Sequence, residues 1–319
     1  MSVFAGIDLG GTYIKAALAS ADAATIAQAS WDTETHGGPD HVIDRMAGLV
    51  ETLMTDTQSE DLVAVGVGMP GLVDIASGES KFLPNFPTQW RDIPVASQLQ
   101  RKLDCNVRLL NDVRTATLGE LKFGHGRGRD DITFAFFSLG TGVGGGVVID
   151  GRLRLGPLGA AGELGYQTIL PDGPRCGCGN RGCLETLASG PAIAAEGVRL
   201  MRMGLAPYLH ELTDGQADLV TTREMATASA QDESIREAVE RAAQYIGVAA
   251  ANVVSVLHPD MIVLGGGVAL LGEVLVNGVR EAITNRVGMF PTDNVEVVLS
   301  KLGDQAGVSG AIALAMQST

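Results

Sequence analysis

Short apolar runs broken by glycine turns recur along the chain, and their lengths predict alternating strands and helices. VFAGIDL (3–9) and YIKAALA (13–19) flank Gly10-Gly11 and predict a β-hairpin, with TIAQASW (25–31) as a third antiparallel strand. A helical pattern over about 40–55 leads to the strand LVAVGVG (62–68), a Pro-Gly turn and an irregular stretch over 75–93. A helix over about 94–103 and the strand VRLLN (107–111) follow. The second half opens again with DITFAFFSLG (131–140), a glycine-rich turn at 140–146, and GVVIDGRLRLG, whose Asp150-Gly151 suits a tight hairpin. Helices are then expected over about 189–204, 221–229 and 232–257, before the strand segment DMIVLGGGV (260–268) and a further helix. VEVVLS (295–300) and a final helix (305–317) close the chain. This alternation predicts an α/β fold with helices covering sheets. FAGIDLGGTYIKAAL (4–18) and FAFFSLGTGVGGGVV (134–148) share Phe-Ala, then Leu-Gly, then an apolar strand. They read either as a faint internal duplication, giving two related domains, or as a chance match of two hairpins.

Length and charge narrow the class. A chain of 319 residues is expected to split into two domains. Its 23 basic and 37 acidic residues leave a net charge of −14, with no run of Lys or Arg, which excludes nucleic acid and anionic membranes as natural partners. No segment reaches the roughly 18 apolar residues of a membrane span. The opening MSVFAGIDLGGT enters a strand pattern at once, without a basic leader, so a cytoplasmic protein is expected. Three of the four cysteines fall within eight positions, which in a reducing compartment reads as thiols or metal ligands. Cys105 reads as a small buried hydrophobe.

Three glycine turns follow strands: DLGGT (8–12), SLGTGVGGG (138–146) and LGGGV (264–268). Glycine lets backbone N–H groups turn toward an anion with no Cβ in the way, so such turns cradle phosphates. Three at strand ends, two with a threonine hydroxyl, point to a nucleotide. None fits the P-loop pattern, and none is a G-x-G-x-x-G opening a helix. Asp8 stands at a strand end, where a carboxylate can hold magnesium beside a polyphosphate; an Asx-turn is its other reading. Thr12 and Thr141 are candidate phosphate donors, and Lys15 is either a third or a solvated strand residue. NDVRTATLGE (111–120) supplies Asn111-Asp112 at a strand–helix junction. There Asp112 can take a hydroxyl proton as a bond to phosphorus forms, or can cap a helix starting near 113. Glu163 in GELG and Glu185 in CLE bracket the loop RCGCGNRGC (175–183). With Asn85 in LPNF they suit a polyhydroxyl ligand, or they are simply exposed. Cys176, Cys178 and Cys183 form C-x-C-x4-C, three of the four ligands that tetrahedral zinc takes.

With these motifs in this order, the chain resembles the ROK family (repressors, open reading frames, kinases) of the actin-like ATPase and sugar kinase superfamily. DLGGT resembles its first phosphate motif, GMPGLVD and LPNFPTQW its sugar-side loops, and NDVRTATLGE its catalytic segment. LGTGVGGGVVIDGRL and GAAGELG resemble the family signature, CGCGNRGCLE its cysteine loop, and LGGGV its adenosine motif. The resemblance covers essentially the whole chain. It implies two RNase-H-like domains with an interdomain cleft, residues 1–112 plus 303–319 and residues 113–302, that close over ATP-Mg and a hexose. It implies transfer of the γ-phosphoryl group to the sugar 6-hydroxyl with Asp112 as base. Asn85, Asn111, Glu163 and Glu185 take the places of sugar ligands. Asp8, Gly10, Gly11, Thr12, Gly140, Thr141 and Gly142 take those of the phosphate and magnesium site, and Gly265 and Gly266 lie at the adenosine. A homodimer is also implied.

The departure is at residue 166. The family's kinases read Glu-x-Gly-His ahead of the cysteines, the His serving both zinc and sugar; here the position is Tyr166, and a phenol with a pKa near 10 is a poor zinc ligand. Zinc on three cysteines with water or a borrowed side chain, zinc with a tyrosinate, and no zinc all remain open. His125 and His210 are not at the family's spacing. Glucose is the leading substrate, with an N-acetylhexosamine, fructose or allose as alternatives. A sugar-responsive repressor is a second class, opposed by the acidic charge and by Asp8 standing where the kinase-like fold begins. A sugar-binding relic is a third, opposed by retention of Asp8, Asp112 and both phosphate turns.

Overall fold

In the computed structural model, which describes residues 2–317, β1 (Ser2–Leu9) and β2 (Tyr13–Ala19) form the expected hairpin, with Asp8 opposite Lys15. β3 (Thr25–Asp32) extends it antiparallel. α1 (Gly38–Asp56) follows, burying Val42, Ile43, Met46, Leu49, Val50 and Leu53 at the three- and four-residue spacing of one helix face. β4 (Asp61–Met69) then pairs parallel with β1. The stretch over 75–93, expected to be irregular, belongs to a small antiparallel sheet: β5 (Leu72–Asp74), β6 (Glu79–Leu83) and β7 (Trp90–Ile93). Its strands are too short and too charged to show alternation. Polar contacts add to it instead: Lys81 Nζ lies 2.8 Å from Asp92 Oδ1 across the β6–β7 pair and 2.9 Å from Glu79 Oε2 within β6, and Arg91 sits 4.2 Å above the Phe82 ring. α2 (Val95–Leu103) leads to β8 (Asn106–Asn111), which pairs parallel with β4 and completes the main sheet in the order β3-β2-β1-β4-β8. α3 (Asp112–Lys122) starts directly from β8.

The second sheet repeats this plan. β9 (Phe134–Leu139) and β10 (Val143–Ile149) pair antiparallel. The glycine turn is only 140–142, because Gly144–Gly146 lie within β10, where a Cβ on Gly145 would fall 2.4 Å from Leu164 Cγ. Asp150 (φ 49°) and Gly151 (φ 68°) turn the chain into the short β11 (Arg152–Leu153). Helices α4 (Glu185–Ala188), α5 (Gly190–Arg202), α6 (Pro207–Leu212), α7 (Thr222–Ala228) and α8 (Glu233–Leu257) precede β12 (Met261–Gly265). α9 (Glu273–Arg286) and β13 (Glu296–Leu299) follow, with β12 parallel to both β9 and β13. The order β10-β9-β12-β13 thus matches β2-β1-β4-β8. α8 and α9 approach closely at glycines: a Cβ on Gly247 would lie 2.4 Å from that of Ala282.

The last helix, α10 (Ala306–Met316), returns to the first sheet. It lies almost on the strands, since a Cβ on Gly66 would fall 2.0 Å from Ala311 O and one on Gly6 2.7 Å from Val308 O. Two compact units result: one runs to Asp130 and adds Gly151–Ala161 and the stretch from Asp304; the other comprises Asp131–Asp150 and Gly162–Gly303. The first unit continues past Asp112, where the sequence suggests a division, because α3 packs on α10: a Cβ on Gly119 would lie 2.4 Å from Ala306 O. Met1, Ser318 and Thr319, at the ends of the expected first domain, lie outside the described residues. No helix among the described residues is long and apolar enough to cross a membrane.

Candidate active site

In the first unit, the carboxyl ends of the parallel strands β1, β4 and β8 gather the predicted polar residues, as open α/β sheets do. The 10–12 turn is pinned on both sides: Gly10 N–H donates to Tyr13 O (2.9 Å), Thr33 Oγ1 to Gly10 O (2.8 Å), and Thr33 N–H to Thr12 O (2.7 Å). Gly11 has open space where a Cβ would stand, and Gly11 and Thr12 are exposed. Asp8 packs its carboxylate against Gly307 in the first turn of α10, where a Cβ would fall 2.4 Å from Oδ2. Burial pushes Asp8 up to about 6; the Asp112 charge adds to the rise and Lys15 opposes it. Lys15 Nζ itself lies 3.9 Å from Asp304 Oδ2 and donates to the Asp304 carbonyl at 3.3 Å. Asp8 and Asp112 therefore share one electrostatic neighbourhood. A buried carboxylate with a second beside it is the kind of donor set that a divalent cation relieves.

Asn111 performs the capping role that the sequence leaves open for Asp112. Its Oδ1 accepts from Val113 N (3.1 Å) and Arg114 N (3.3 Å), and its Nδ2 donates to Gly71 O (3.1 Å). Asp112 is the first residue of α3, its Oδ1 accepting from Val113 N at 2.9 Å, where the helix N-terminus favours an anion. Arg114, 2% exposed, is a site residue that sequence reasoning misses. Its Nη1 donates to Asn111 Oδ1 (3.2 Å) and its Nε to Ala161 O (3.1 Å), fixing the cap from within; only its place two residues after Asp112 hints at this. Asn85 is exposed on the turn between β6 and β7, anchored by the edge-to-face pair Phe86–Trp90 (5.4 Å).

In the second unit, the 140–142 turn and Gly265-Gly266 lie at the carboxyl ends of the neighbouring parallel strands β9 and β12. Gly266 (φ 84°) has no room for a Cβ, which would sit 2.5 Å from Leu139 O. Gly140 N–H donates to Gly142 O (2.9 Å), and Gly140 O accepts from Gly190 N at the start of α5 (2.8 Å); Thr141 stays exposed. Glu185, at the start of α4, reaches this turn: its Oε2 accepts from Val143 N at 3.0 Å. Its Oε1 lies 3.9 Å from Cys176 Sγ, so one carboxylate joins the glycine turn to the cysteine loop.

That loop is closed by backbone bonds, Cys176 N–H to Asn180 O (2.8 Å) and Gly182 N–H to Pro174 O (2.8 Å), with Gly182 at φ 62°. The sulfurs of Cys176, Cys178 and Cys183 lie within 4.8 Å of one another, and Cys178 and Cys183 are 3.7 Å apart. Zn–S bonds of about 2.3 Å arranged tetrahedrally put sulfurs about 3.8 Å apart, so the set fits zinc. Among the described residues no histidine joins this cluster. Glu163 and Tyr166 are exposed on a turn whose Leu164 and Gly165 pack against β10; a Cβ on Gly165 would meet Val143 O. Tyr166, 43% exposed, is pushed up to about 12 by partial burial and then by the negative charge of Glu185, Glu163 and the nearby cysteines. Cys105 lies apart, half-buried against the first unit's core, its thiol pushed up to about 11 by burial and then by Asp104.

Comparison with known proteins completes the description. The sequence model of the ROK family matches residues 4–318. A glucokinase of Thermotoga maritima is 34% identical over 313 residues, covering 97% of this chain and 96% of that protein. The crystal structure of a ROK family glucokinase from Streptomyces griseus in complex with glucose and AMPPNP superposes with a TM-score of 0.84 at 30% identity, covering 99% of each chain. A xylose repressor of Caldicellulosiruptor bescii is 29% identical over 97% of this chain, which spans 77% of that protein.

Proposed function

The chain belongs to the ROK family, and from that premise we propose that it is an ATP-dependent hexose kinase transferring the γ-phosphoryl group to the 6-hydroxyl of glucose. The observation that carries the reading is the Asn111–Asp112 junction: Asn111 and Arg114 take over the cap, so Asp112 is held at the start of α3 without being needed to close it. In this role Asp112 accepts the 6-hydroxyl proton as the oxygen attacks phosphorus, with little covalent work beyond positioning and charge stabilisation. By the family resemblance, Gly10, Gly11 and Thr12 offer N–H and hydroxyl donors to phosphate, as do Gly140, Thr141 and Gly142, and Gly265 and Gly266 admit the adenosine. Asn85, Glu163 and Glu185 bind sugar hydroxyls. Asn111 caps α3 beside Asp112 and keeps a second Nδ2 N–H, beyond the one given to Gly71 O, for a sugar hydroxyl.

Asp8 is the residue suited to hold magnesium, whose bound form neutralises charge on the polyphosphate. Cys176, Cys178 and Cys183 are suited to a structural zinc that stiffens the segment between Glu163 and Glu185, with the neutral Tyr166 phenol facing the sugar rather than serving as a ligand. The family resemblance supports a cytoplasmic homodimer.

Release of ADP, coupled to a dehydrogenase signal, over a panel of glucose, fructose, allose, N-acetylmannosamine and N-acetylglucosamine tests the reading. Glucose should give the highest kcat/KM. If no sugar stimulates ADP release, the kinase assignment fails.

A further inference from the structure

A cavity of about 680 Å³ lies in the first unit, walled by β8, the end of α3, the turn after β5 and the segment through β11. None of the residues assigned above to phosphate, sugar or magnesium lines it. Lys122, on its wall, is ten residues beyond Asp112 in α3, or about 15 Å along the helix at 1.5 Å per residue. Its volume falls within the roughly 300–1,000 Å³ range of small-molecule sites.

The charge of this cavity runs against that of the chain. Arg108, Lys122 and Arg152 line it and no Asp or Glu does, in a protein whose net charge is −14. The cavity along α8 and α9, by contrast, is lined by Glu237, Glu240 and Glu281 with Arg241, and the one at Lys15 contains Asp304. Six other cations, Arg45, Lys81, Lys102, Arg199, Arg236 and Arg241, pair with a carboxylate. Arg108, Lys122 and Arg152 have no ion pair or hydrogen-bonded side-chain partner among the described residues. All three are exposed, so water screens their mutual repulsion, while an anion between them is attracted by each. Two guanidinium forks and an ammonium are a phosphate-recognising set. Gln100 and Asn106 add neutral donors, and β8, as the edge strand of its sheet, has outward N–H groups that the ladder does not use.

We propose that this cavity binds a small phosphorylated metabolite at a site separate from phosphoryl transfer. Its walls are β8 and α3, the two elements that meet at Asn111 and Asp112, so the ligand would rest on the supports of the catalytic junction.

The test is a ¹⁵N chemical-shift titration of the full chain with inorganic pyrophosphate, the nucleotide site being held by AMPPNP, and a parallel titration with citrate. The backbone amides of Arg108, Lys122 and Arg152 should shift with pyrophosphate. The Arg108→Glu/Arg152→Glu variant should bind it weaker by roughly tenfold or more, as expected when charged hydrogen-bond partners are removed. Its AMPPNP affinity should stay unchanged, which also reports that it is folded; Arg108→Gln/Arg152→Gln substitutes if it is not. Shifts confined to residues 8–12 and 140–142, or equal pyrophosphate affinity in the variant, would overturn the site. Citrate binding as tightly as pyrophosphate would overturn its assignment to phosphate.

Discussion

Replacing Asp8 with Asn should make the nucleotide-free protein more stable while disabling it. Asp8 titrates at about 6 in the fold against an ordinary 3.8, because burial and the neighbouring Asp112 charge both disfavour its ionised form. The folded state therefore holds this proton more tightly than the unfolded chain does. Stability from this group is fully present at acidic pH and is lost as pH rises from about 4 to about 6. Above that window the ionised carboxylate costs the fold up to roughly 3 kcal/mol, at ~1.4 kcal/mol per pH unit. Asn carries no charge, so Asp8→Asn should recover much of this at pH 7.5, and about half as much at pH 5, where wild type is already largely protonated in the folded state. Thermal or urea unfolding of both proteins at the two pH values, without nucleotide or magnesium, reads the difference directly. The same variant should lose most of its turnover, since the carboxylate suited to magnesium is gone. A variant less stable than wild type at pH 7.5, or a gain that does not shrink at pH 5, would refute the reasoning.

Other perturbations probe the supports of the site. Gly66→Ala would drive a methyl to within 2.0 Å of Ala311 O, where backbone rather than a flexible side chain must yield; a loss of at least ~3 kcal/mol should appear in the unfolding midpoint. Gly142→Ala would place its methyl 2.5 Å from Glu185 Oε2 and break the bond to Val143 N. Losing that charged hydrogen bond, worth ~1.5–3 kcal/mol, should weaken glucose binding by calorimetry roughly tenfold or more. Metal analysis should find about one zinc per chain, retained in Tyr166→Phe and lost in Cys178→Ser; glucose affinity should fall in both, through the missing hydroxyl in the first and through the loosened loop in the second. Zinc loss in Tyr166→Phe would instead make the phenol a ligand.

Where the chain alternates cleanly between apolar runs and glycine turns, its elements can be read directly: β1, β2, β4, β9 and β12 all lie where the pattern puts them. The β5–β7 sheet does not, because three- to five-residue strands with Glu, Lys, Arg and Asp among their residues carry no readable periodicity. The candidate site divides along the same line. Asp8 and Asp112 are legible because each stands where a strand ends. The cap is not, since Asn111 and Asp112 are both good capping residues and only the buried Arg114 and the distant Gly71 carbonyl decide between them. Nor is the tie from Glu185 to Val143, because it spans 42 residues and arises from how α4 packs beside the 140–142 turn. Tyr166 is the residue whose identity bears most on which sugar is read, and its setting among Glu163, Glu185 and the cysteines emerges only from the fold.

The claim on which the rest depends is that Asp112 is the base for the sugar hydroxyl. Asp112→Asn preserves size and the hydrogen bond available to Val113 N, so it removes basicity with little structural change. Steady-state turnover with glucose and ATP, paired with calorimetric glucose binding, should show kcat falling by roughly 10²–10⁴-fold while glucose affinity stays within about threefold. Turnover equal to wild type, with glucose still bound, would contradict it.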